Sequence, residues 1–244
     1  MKLYVGCCGF PISMKKYFSL FEVVEVQKTF YQIPENNTLE KWRKNAPKSF
    51  IFNLKCFQGV THDVSSPTWR RYKQELRGRK ENYGFLKPTK EVLKSWNETL
   101  KAAKILKSKI IVVQLSAKFK PSKENWHNAK KFFQKIKKNG ISIAIELRKW
   151  DDKNREKFCK RFYLIDVVDP FKNKPKHFSK KKIAYFRLHG SPPGKKTYAY
   201  KYTKKDLLYL KNFVERLKVK KCFIMFNNMY MLEDAKRLIK IMSL

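Results

Sequence analysis

Residues 109–115 read Lys-Ile-Ile-Val-Val-Gln-Leu, and residues 142–148 read Ser-Ile-Ala-Ile-Glu-Leu-Arg. Both are short apolar runs rich in β-branched residues, a pattern typical of strands covered on both faces. The segment between them begins at Ser122, ends at Gly140 and has apolar residues at helical spacing: Trp126, Ala129, Phe132, Phe133 and Ile136. These stretches together predict a strand, a helix and a second, parallel strand.

Six further runs of the same kind complete a set of eight, at 2–8, 23–27, 50–55, 163–169, 183–190 and 222–228. Helix-length segments separate most of them, which favours a (β/α)8 TIM-like barrel over residues 1–244 as a single domain. The alternation is irregular around strand six, because residues 171–182 contain Pro175 and are too few for a full barrel helix. In such barrels, the active site lies at the carboxyl ends of the strands.

The composition indicates a globular protein with a sizeable core, since 43% of the 244 residues are hydrophobic. No apolar run approaches the roughly 20 residues that span a bilayer, and the first residues lack the features of a signal peptide. Five cysteines at irregular spacing favour neither a disulfide framework nor a zinc site. We therefore expect a cytoplasmic protein that does not bind membranes, with Cys7 and Cys8 as small buried residues of the barrel mouth. No obligate protein partner is evident.

The charge balance is strongly basic, with 57 Lys and Arg against 20 Asp and Glu, a formal net charge of +37. Such a field attracts polyanions, so nucleic acid, either DNA or RNA, is the expected partner. The competing interpretation is a lysine-rich surface with no partner. Basic surfaces of that kind usually carry many acids as well, and here acids are scarce.

Three basic loops are predicted on the carboxyl-terminal face of the barrel. The first is an insertion at 64–88, the second covers 171–182, and the third follows strand seven with lysines and tyrosines interleaved. Lysine and tyrosine together suit phosphate contact and base stacking, although the tyrosines of such a loop can also pack on the barrel rim. The predicted nucleic-acid-binding residues of these loops are Arg70, Arg71, Lys73, Arg77, Arg79, Lys180, Lys181, Lys182, Lys195, Lys196, Tyr198, Tyr200 and Lys201.

Polar residues two apart lie in several strands, although the strands of a parallel barrel are covered on both faces. The pairs are Glu25 with Gln27, Asn53 with Lys55, Glu146 with Arg148, and Arg187 with His189. Together with Gln114, Asp166 or Asp169, Asn227 and Asn228 they are expected to converge on one mouth. The alternative is a salt-bridge network that fixes the barrel without catalysing a reaction.

Glu25, Glu146, one of the strand-six aspartates and His189 have the ligand types of a divalent metal site. Histidines are few, four in the chain, so any metal would take mainly carboxylate oxygens, which favours Mg²⁺ or Mn²⁺. His62, in a loop after strand three, is a candidate general acid or base or a packing residue. His127 and His177 are interpreted as surface residues.

Seven motifs, in the same order along the chain, resemble those of the YecE-like domain-of-unknown-function family (number 72). They are Gly6-Cys7-Cys8-Gly9-Phe10, residues 24–31 (Val-Glu-Val-Gln-Lys-Thr-Phe-Tyr), Thr61-His62, Gln114-Leu115, Ile145-Glu146-Leu147-Arg148 with Trp150, residues 185–190 (Tyr-Phe-Arg-Leu-His-Gly) and Phe226-Asn227-Asn228. The resemblance implies a TIM-like barrel, which has been likened to abasic-site endonucleases of that fold, and it implies no settled activity. It implies these pocket residues: Glu25, Thr61, His62, Glu146, Arg148, Arg187, His189, Asn227 and Asn228.

The chain departs from that family's pattern at four of these positions. Cys7 and Cys8 stand where the family usually has Thr and Ser, Phe10 where it has Trp, and Gln27 where it has Asn. This chain therefore lacks the two small hydroxyls that the family's pattern has at these positions.

The function that these residues favour is a nucleic-acid-binding phosphodiester hydrolase of the repair-endonuclease type. Its predicted catalytic residues are Glu25, Glu146, Asp169, His189 and His62, and its predicted substrate-binding residues are Lys55, Thr61, Gln114, Arg148, Arg187, Asn227 and Asn228. One alternative is an enzyme for a sugar, phosphosugar or carboxylate, with Glu25 and Glu146 as acid and base or Lys55 as a Schiff-base amine. The other is a nucleic-acid-binding module without catalysis.

Overall fold

Eight parallel strands close into a barrel in chain order, each hydrogen-bonded to the next and β8 to β1. The computed structural model describes residues 1–190 and 198–243. The strands are β1 (Lys2–Cys8), β2 (Val23–Val26), β3 (Ile51–Lys55), β4 (Ile110–Gln114), β5 (Ser142–Glu146), β6 (Ile165–Val168), β7 (Ile183–Leu188) and β8 (Lys221–Phe226). The predicted (β/α)8 TIM-like barrel is confirmed, with all eight strands within two residues of their expected ends.

Helices surround this barrel, and four of those described, α5 to α8, begin at a capping side chain. They are α1 (Met14–Leu20), α2 (Lys28–Tyr31), α3 (Asn36–Asn45), α4 (Gln58–Thr61), α5 (Lys90–Ile105), α6 (Lys123–Lys135), α7 (Asp152–Phe162), α8 (Lys204–Glu215) and α9 (Met231–Met242). Ser122 caps α6, and Thr203 with Asp206 forms the predicted capping box of α8. Helix α6 ends at Lys135, so Gly140 lies in the turn before β5 and does not end the helix.

Side chains alternate between the barrel interior and the layer between strands and helices. The interior cluster includes Tyr4, Val112, Ala144, Val167 and Tyr185, and a larger cluster of buried side chains lies outside the barrel against the helices. Residues two apart share a face. Residues that follow the interior positions toward the carboxyl ends of the strands therefore point into the barrel mouth.

The segment between β6 and β7 contains no helix and returns to the opposite end of the barrel. It starts at Asp169 at the carboxyl end of β6, and Phe178 makes an antiparallel bridge with Ile165, the first residue of that strand. Lys182 directly precedes β7, and Nζ of Lys181 donates to the carbonyl of Gly140, just before β5. The irregularity predicted at strand six is therefore present.

Lys180, Lys181 and Lys182 consequently lie at the amino-terminal face of the barrel. Our expectation that the whole of 171–182 borders the mouth is wrong for these three residues. The physical reason is that β7 runs parallel to β6, so the connecting chain must cross back to the amino-terminal end before β7 begins. None of the helices in residues 1–190 and 198–243 is long and apolar enough to cross a membrane.

Candidate functional site at the barrel mouth

The carboxyl-terminal mouth of the barrel is lined by a layer of polar side chains instead of the aliphatic residues found below. Alternation from the interior core places the following residues inward: Glu25, Asn53, Lys55, Gln114, Glu146, Asp169, Arg187, His189 and Asn227. Most of these side chains are buried, and Asn227 is half-buried. Burying so many polar groups costs folding free energy unless they are hydrogen-bonded or ion-paired to one another or bind a ligand.

Arg187 lies at the centre of this layer. Its Nη1 donates to Oε1 of Gln114 at 2.7 Å and to Oε2 of Glu146, and its Nη2 lies 3.1 Å from Oε1 of Glu25. The Glu25 contact is an ion pair and not a hydrogen bond, and Nη2 and Nε of Arg187 have no hydrogen-bond acceptor among the residues that the structure describes. Arg187 is 1% exposed. It therefore holds the carboxylates of β2 and β5 in place from below, and little of it can reach a ligand.

Glu25 is enclosed by neighbours on every side. The hydroxyl of Tyr185 donates to its Oε2 at 2.8 Å, and the amide of Gln27 donates to its Oε1. With Arg187 on the same oxygen, both carboxylate oxygens are occupied. Since Glu25 has no exposed surface, its surroundings favour a structural role in the network over direct contact with a substrate.

Glu146 and His189 face one another at the edge of the same network. Nε2 of His189 lies 3.6 Å from Oε1 of Glu146, and Nδ1 of His189 accepts a hydrogen bond from the side-chain amide of Asn227 at 3.1 Å. Burial opposes ionisation of Glu146, but the charges of Arg187, His189 and Arg148 hold its pKa well below the usual range. Glu146 is therefore a carboxylate, and His189 is held with Nε2 toward it.

Arg148 supplies unpaired hydrogen-bond donors beside this pair. Its Nε donates to Oε1 of Glu146 at 2.8 Å, and its terminal nitrogens have no partner among the described residues. Its side chain is 37% exposed. A guanidinium whose Nε is bound and whose two terminal nitrogens are free can bind a phosphate or carboxylate group through those nitrogens.

Glu146, Arg148 and His189 open into a cavity of about 850 Å³ above strands β5 to β7. Its wall also contains residues of the loops after β5, β6 and β7, including Lys149, Trp150, Asp151, Asp169, Lys172, Asn173 and Tyr198. Lys149 and Lys172 are exposed on its rim. The cavity is wide here because no helix follows β6.

The two strand-six aspartates have different environments. Asp166 points outward, where its Oδ2 pairs with Nε of Arg155 at 3.2 Å. Asp169 lines the cavity, but its oxygens accept hydrogen bonds from the backbone amides of Phe171 and His189, each at 3.1 Å. Asp169 is therefore the inward aspartate, and it fixes the backbone at the end of β7.

Two further predicted residues, Asn228 and Gln114, have structural contacts. The amide of Asn228 donates to the carbonyl of Tyr200 and to Oδ2 of Asp234, both at 2.8 Å, outside the barrel. Gln114 accepts from Arg187. Both orient the network or the loops and do not face the cavity wall described above.

Lys55 ends β3 on the other side of the mouth. Its Nζ lies 3.7 Å from the ring centroid of Phe30 and has no hydrogen-bond or ion-pair partner within residues 1–190 and 198–243. Burial, reinforced by the charge of Arg187 and opposed by those of Glu146 and Glu25, lowers its pKa to about 7. The amine is therefore partly neutral near physiological pH, unlike an ordinary lysine.

His62 makes an edge-to-face contact with the same phenyl ring, with the Phe30 and His62 ring centroids 5.1 Å apart. Its Nδ1 lies 2.7 Å from the hydroxyl of Thr61. Burial, together with the charges of Lys55 and Arg148, lowers the pKa of His62 to about 3. Gly84, at φ +81°, lies so close to the backbone of His62 that a Cβ there would overlap it, so the 64–88 insertion closes over this side of the mouth.

The insertion places the predicted arginines near the mouth. Arg70, Arg71, Lys73, Arg77 and Arg79 are all exposed on it. The guanidinium of Arg71 stacks over Tyr31, next to the end of β2, at 4.6 Å. Lys118, from the loop after β4, donates to Ser65 and so ties the insertion to the adjacent loop.

The loop after β7 has only one exposed tyrosine beside the cavity. Tyr198 is 40% exposed and packs edge-on against His189, with ring centroids 5.6 Å apart. Tyr200 donates to Asp206 at 2.6 Å, and Tyr202 is buried with its hydroxyl accepting from the amide of Gly190. Lys201 pairs with Glu233. Lys195 and Lys196 lie outside the described residues, so among the tyrosines only Tyr198 suits base stacking.

The predicted metal cluster is not assembled in the described part of the chain. No group of three or more His, Cys, Asp or Glu side chains there is placed to hold a metal ion. The guanidinium of Arg187 lies between Glu25 and Glu146, at the position where a cation would bridge them. Binding of Mg²⁺ or Mn²⁺ therefore stays a prediction.

The cysteines are buried, as expected. Cys8 points into the barrel and Cys7 toward the helices. Burial raises the pKa of Cys7 to about 12 and raises that of Cys8 well above its usual range. Both are therefore protonated thiols with a packing role.

Sequence reasoning missed Tyr185, which holds Glu25, and the loop residues Trp150, Asp151, Lys172 and Asn173 of the cavity wall. The signal for Tyr185 was available, because it lies two residues before Arg187 and thus on the same face. The loop residues had no comparable signal.

Comparison with known proteins supports the fold and the family. A family model described as "Protein of unknown function DUF72" matches residues 11–243. The protein YunF of Bacillus subtilis is 35% identical over 72 residues, which cover 24% of this chain and 26% of YunF. The chain thus aligns with about a quarter of that curated relative.

Two solved structures of DUF72 family proteins superpose on the whole chain. EF0366 of Enterococcus faecalis has a TM-score of 0.73 and 22% identity, covering 100% of this chain and 98% of its own. TM1631 of Thermotoga maritima has a TM-score of 0.73 and 22% identity, covering 100% of both chains.

More distant barrels share the fold. SacUVDE has a TM-score of 0.59 and 12% identity, covering 100% of this chain and 98% of its own. D-psicose 3-epimerase of Clostridium cellulolyticum has a TM-score of 0.59 and 10% identity, with the same coverage. At these identities the likeness concerns the fold alone.

Proposed function

The chain belongs to the DUF72 family, and from the geometry of its barrel mouth we propose that it is an enzyme that hydrolyses phosphodiester bonds in nucleic acid. The observation that carries the proposal is the pair of His189 and Glu146 beside the free guanidinium of Arg148, in one cavity. An acid–base group and an anion-binding group are thus adjacent, as phosphoryl transfer requires.

Each side chain of this set has a role that follows from its contacts. Arg148 binds the non-bridging phosphate oxygens through its terminal nitrogens, which are free in the described part of the chain. The 3.6 Å gap between His189 and Glu146 exceeds a direct hydrogen bond, and a water molecule that contacts both groups is oriented for attack. Glu146, which is a carboxylate, takes the proton of that water as the water oxygen adds to phosphorus, and it passes the proton to the leaving oxygen when the P–O bond breaks. The Nε2–H group of His189 donates a hydrogen bond that positions the water.

The remaining residues position this set. Arg187 fixes Glu146 from below, Asn227 fixes the ring of His189, and Asp169 fixes its backbone. The exposed arginines of the 64–88 insertion, with Lys149 and Lys172, surround the opening with positive charge. A nucleic-acid strand crossing the mouth would meet basic groups on two sides.

The test is cleavage of labelled DNA and RNA strands, intact, abasic and base-damaged, with and without Mg²⁺ or Mn²⁺. The Glu146→Gln variant should cut at least about 100-fold more slowly, the scale of general acid–base catalysis. Glu75→Gln, an exposed carboxylate on the insertion, is the matched control and should cut like the wild type. Equal cutting by Glu146→Gln would place the chemistry elsewhere.

A second function is favoured by the size of the cavity. A volume of about 850 Å³ matches that of sites for small ligands, so a sugar or phosphosugar fits beside Glu146 and Arg148. If no strand is cut or bound, turnover of sugar phosphates that is lost in Glu146→Gln would support this alternative. Binding of strands that is sensitive to salt, without cutting, would support a binding module.

A further inference from the structure

Lys55 is a buried amine that the proposed hydrolysis does not use. It ends β3 inside the mouth, where the carboxylates that could neutralise it are already bound to other groups. Glu25 is held by Arg187, Tyr185 and Gln27, and Glu146 by Arg187 and Arg148. Within the described residues no carboxylate oxygen lies within 4.0 Å of its Nζ.

The side chains around Lys55 pack against its amine but offer it no hydrogen-bond or ion-pair partner within the described residues. The ring of Phe30 supports Nζ at 3.7 Å, and His62 packs against the same ring. A purely structural buried lysine is usually paired with an acid or with carbonyl oxygens. Here the amine nitrogen has neither among the described residues, which leaves its lone pair available for reaction.

We propose that Lys55 is a covalent nucleophile that forms an imine with the carbonyl carbon of a phosphorylated sugar. The phosphate class follows from Arg148, whose terminal nitrogens are free in the described part of the chain and whose charge is one of those that disfavour the ammonium form of Lys55. This part rests on the anionic substrate of the proposed function. The same chemistry is offered by the open-chain sugar of an abasic site in nucleic acid and by a free sugar phosphate.

The step balances with water as the leaving group. The lone pair of Nζ adds to the carbonyl carbon, and the oxygen takes up one proton from the nitrogen and one from solvent. The carbon–oxygen bond then breaks, water departs and a protonated imine remains. No oxidant or reductant takes part.

The charges around Lys55 favour its neutral, reactive form near pH 7. Arg187, Arg148 and the buried environment disfavour the ammonium, while Glu146 and Glu25 favour it, and its pKa falls to about 7. The nearby imidazole of His62, with a pKa of about 3, adds no charge at this pH. About half of the Lys55 amine is then neutral, roughly a thousandfold more than for an ordinary lysine at the same pH.

The test is reductive trapping of the purified protein at pH 7 with sodium cyanoborohydride, which reduces an imine to a stable secondary amine. One arm contains an abasic-site oligonucleotide and the other glyceraldehyde 3-phosphate, and peptide mass mapping locates the adduct. We expect one adduct per chain at Lys55, formed about 100-fold faster than at any other lysine. Trapping in only one arm identifies the source of the carbonyl.

Two variants make the result specific. Lys55→Arg keeps the positive charge but should lose the adduct, whereas Lys118→Arg, an exposed lysine of the next loop, should keep it. A thermal melt of each variant checks folding, and mapping on the wild type needs no variant. Adducts spread over exposed lysines, with Lys55 unlabelled, would overturn the proposal.

Trapping is read as added mass and does not depend on strand hydrolysis. Wild-type protein that traps a carbonyl but cuts no strand would overturn the hydrolase and retain the nucleophile. Protein that cuts strands in a way that depends on Glu146, but traps no carbonyl at Lys55, would retain the hydrolase and overturn the nucleophile.

Discussion

The side-chain amide of Asn227 donates to Nδ1 of His189 at 3.1 Å, so the neutral ring carries its proton on Nε2, the atom that faces Glu146. Loss of this hydrogen bond frees the ring to rotate and to change tautomer. We expect Asn227→Ala to lower kcat roughly 100-fold with a smaller effect on KM, because misorientation of a reacting group acts on this scale. Steady-state cleavage kinetics measure both constants.

Asn173→Ala is the matched control, since Asn173 lines the cavity without contacting His189. Its kcat should stay within about twofold of the wild type. Equal losses of kcat in the two variants would mean that the hydrogen bond to His189 has no special role.

The barrel and much of its polar mouth were predictable because both depend on a local periodicity. Eight apolar runs set the strand number, and a spacing of two put Glu146, Arg187 and His189 on the interior face. The strand number and the pairing of positions two apart need only the sequence of each strand. The choice between Asp166 and Asp169 stayed open, because the structure was needed to show that Ile165 is an interior residue.

The loops were less predictable because their course depends on contacts that no local pattern encodes. Lys180 to Lys182 lie at the far end of the barrel, and Tyr200 and Tyr202 are bound to Asp206 and Gly190. Nor could composition show that Arg187 would occupy the space between Glu25 and Glu146. Loop position and charge pairing are properties of the assembled mouth.

Asp166 should matter for stability and not for catalysis. It is fully buried against Arg155, which is itself 2% exposed, and Asp166 does not line the cavity, whereas Arg155 does. Asp166→Ala leaves a buried guanidinium with one fewer partner and should lower the free energy of unfolding by about 3 kcal/mol. Urea unfolding at pH 7 measures this change. A large loss of kcat per folded molecule would contradict the outward placement.

Lys55 should make stability rise with pH in a defined window. Its folded-state pKa of about 7 lies below the usual lysine value, so above pH 7 the unfolded chain binds more protons than the folded one. The contribution of Lys55 to the free energy of unfolding should therefore increase between pH 7 and 8.5 by up to about 1.4 kcal/mol per pH unit. The five buried thiols ionise on unfolding in the upper part of this window and lower the stability of any variant alike, so the Lys55 contribution is read as the difference between the wild type and a variant without the amine.

The comparison is urea unfolding of the wild type and Lys55→Met at several pH values. The variant lacks the titrating amine, so its stability should rise less steeply through the window. Parallel curves for the two proteins would show that Lys55 titrates as an ordinary lysine.

The placement of basic residues predicts that the two faces of the barrel bind nucleic acid unequally. Arg70, Arg71 and Lys73 are exposed on the insertion at the mouth, whereas Lys180 to Lys182 lie at the amino-terminal face. Changing either trio to glutamate alters the net charge by the same amount. If a strand crosses the mouth, only the first change removes phosphate contacts and flattens the dependence of log Kd on log salt concentration.

Fluorescence anisotropy of a labelled strand between 50 and about 200 mM salt measures both the affinity and its salt dependence. Equal weakening by the two triple variants would indicate that the overall charge of the protein, and not its mouth, attracts the polyanion.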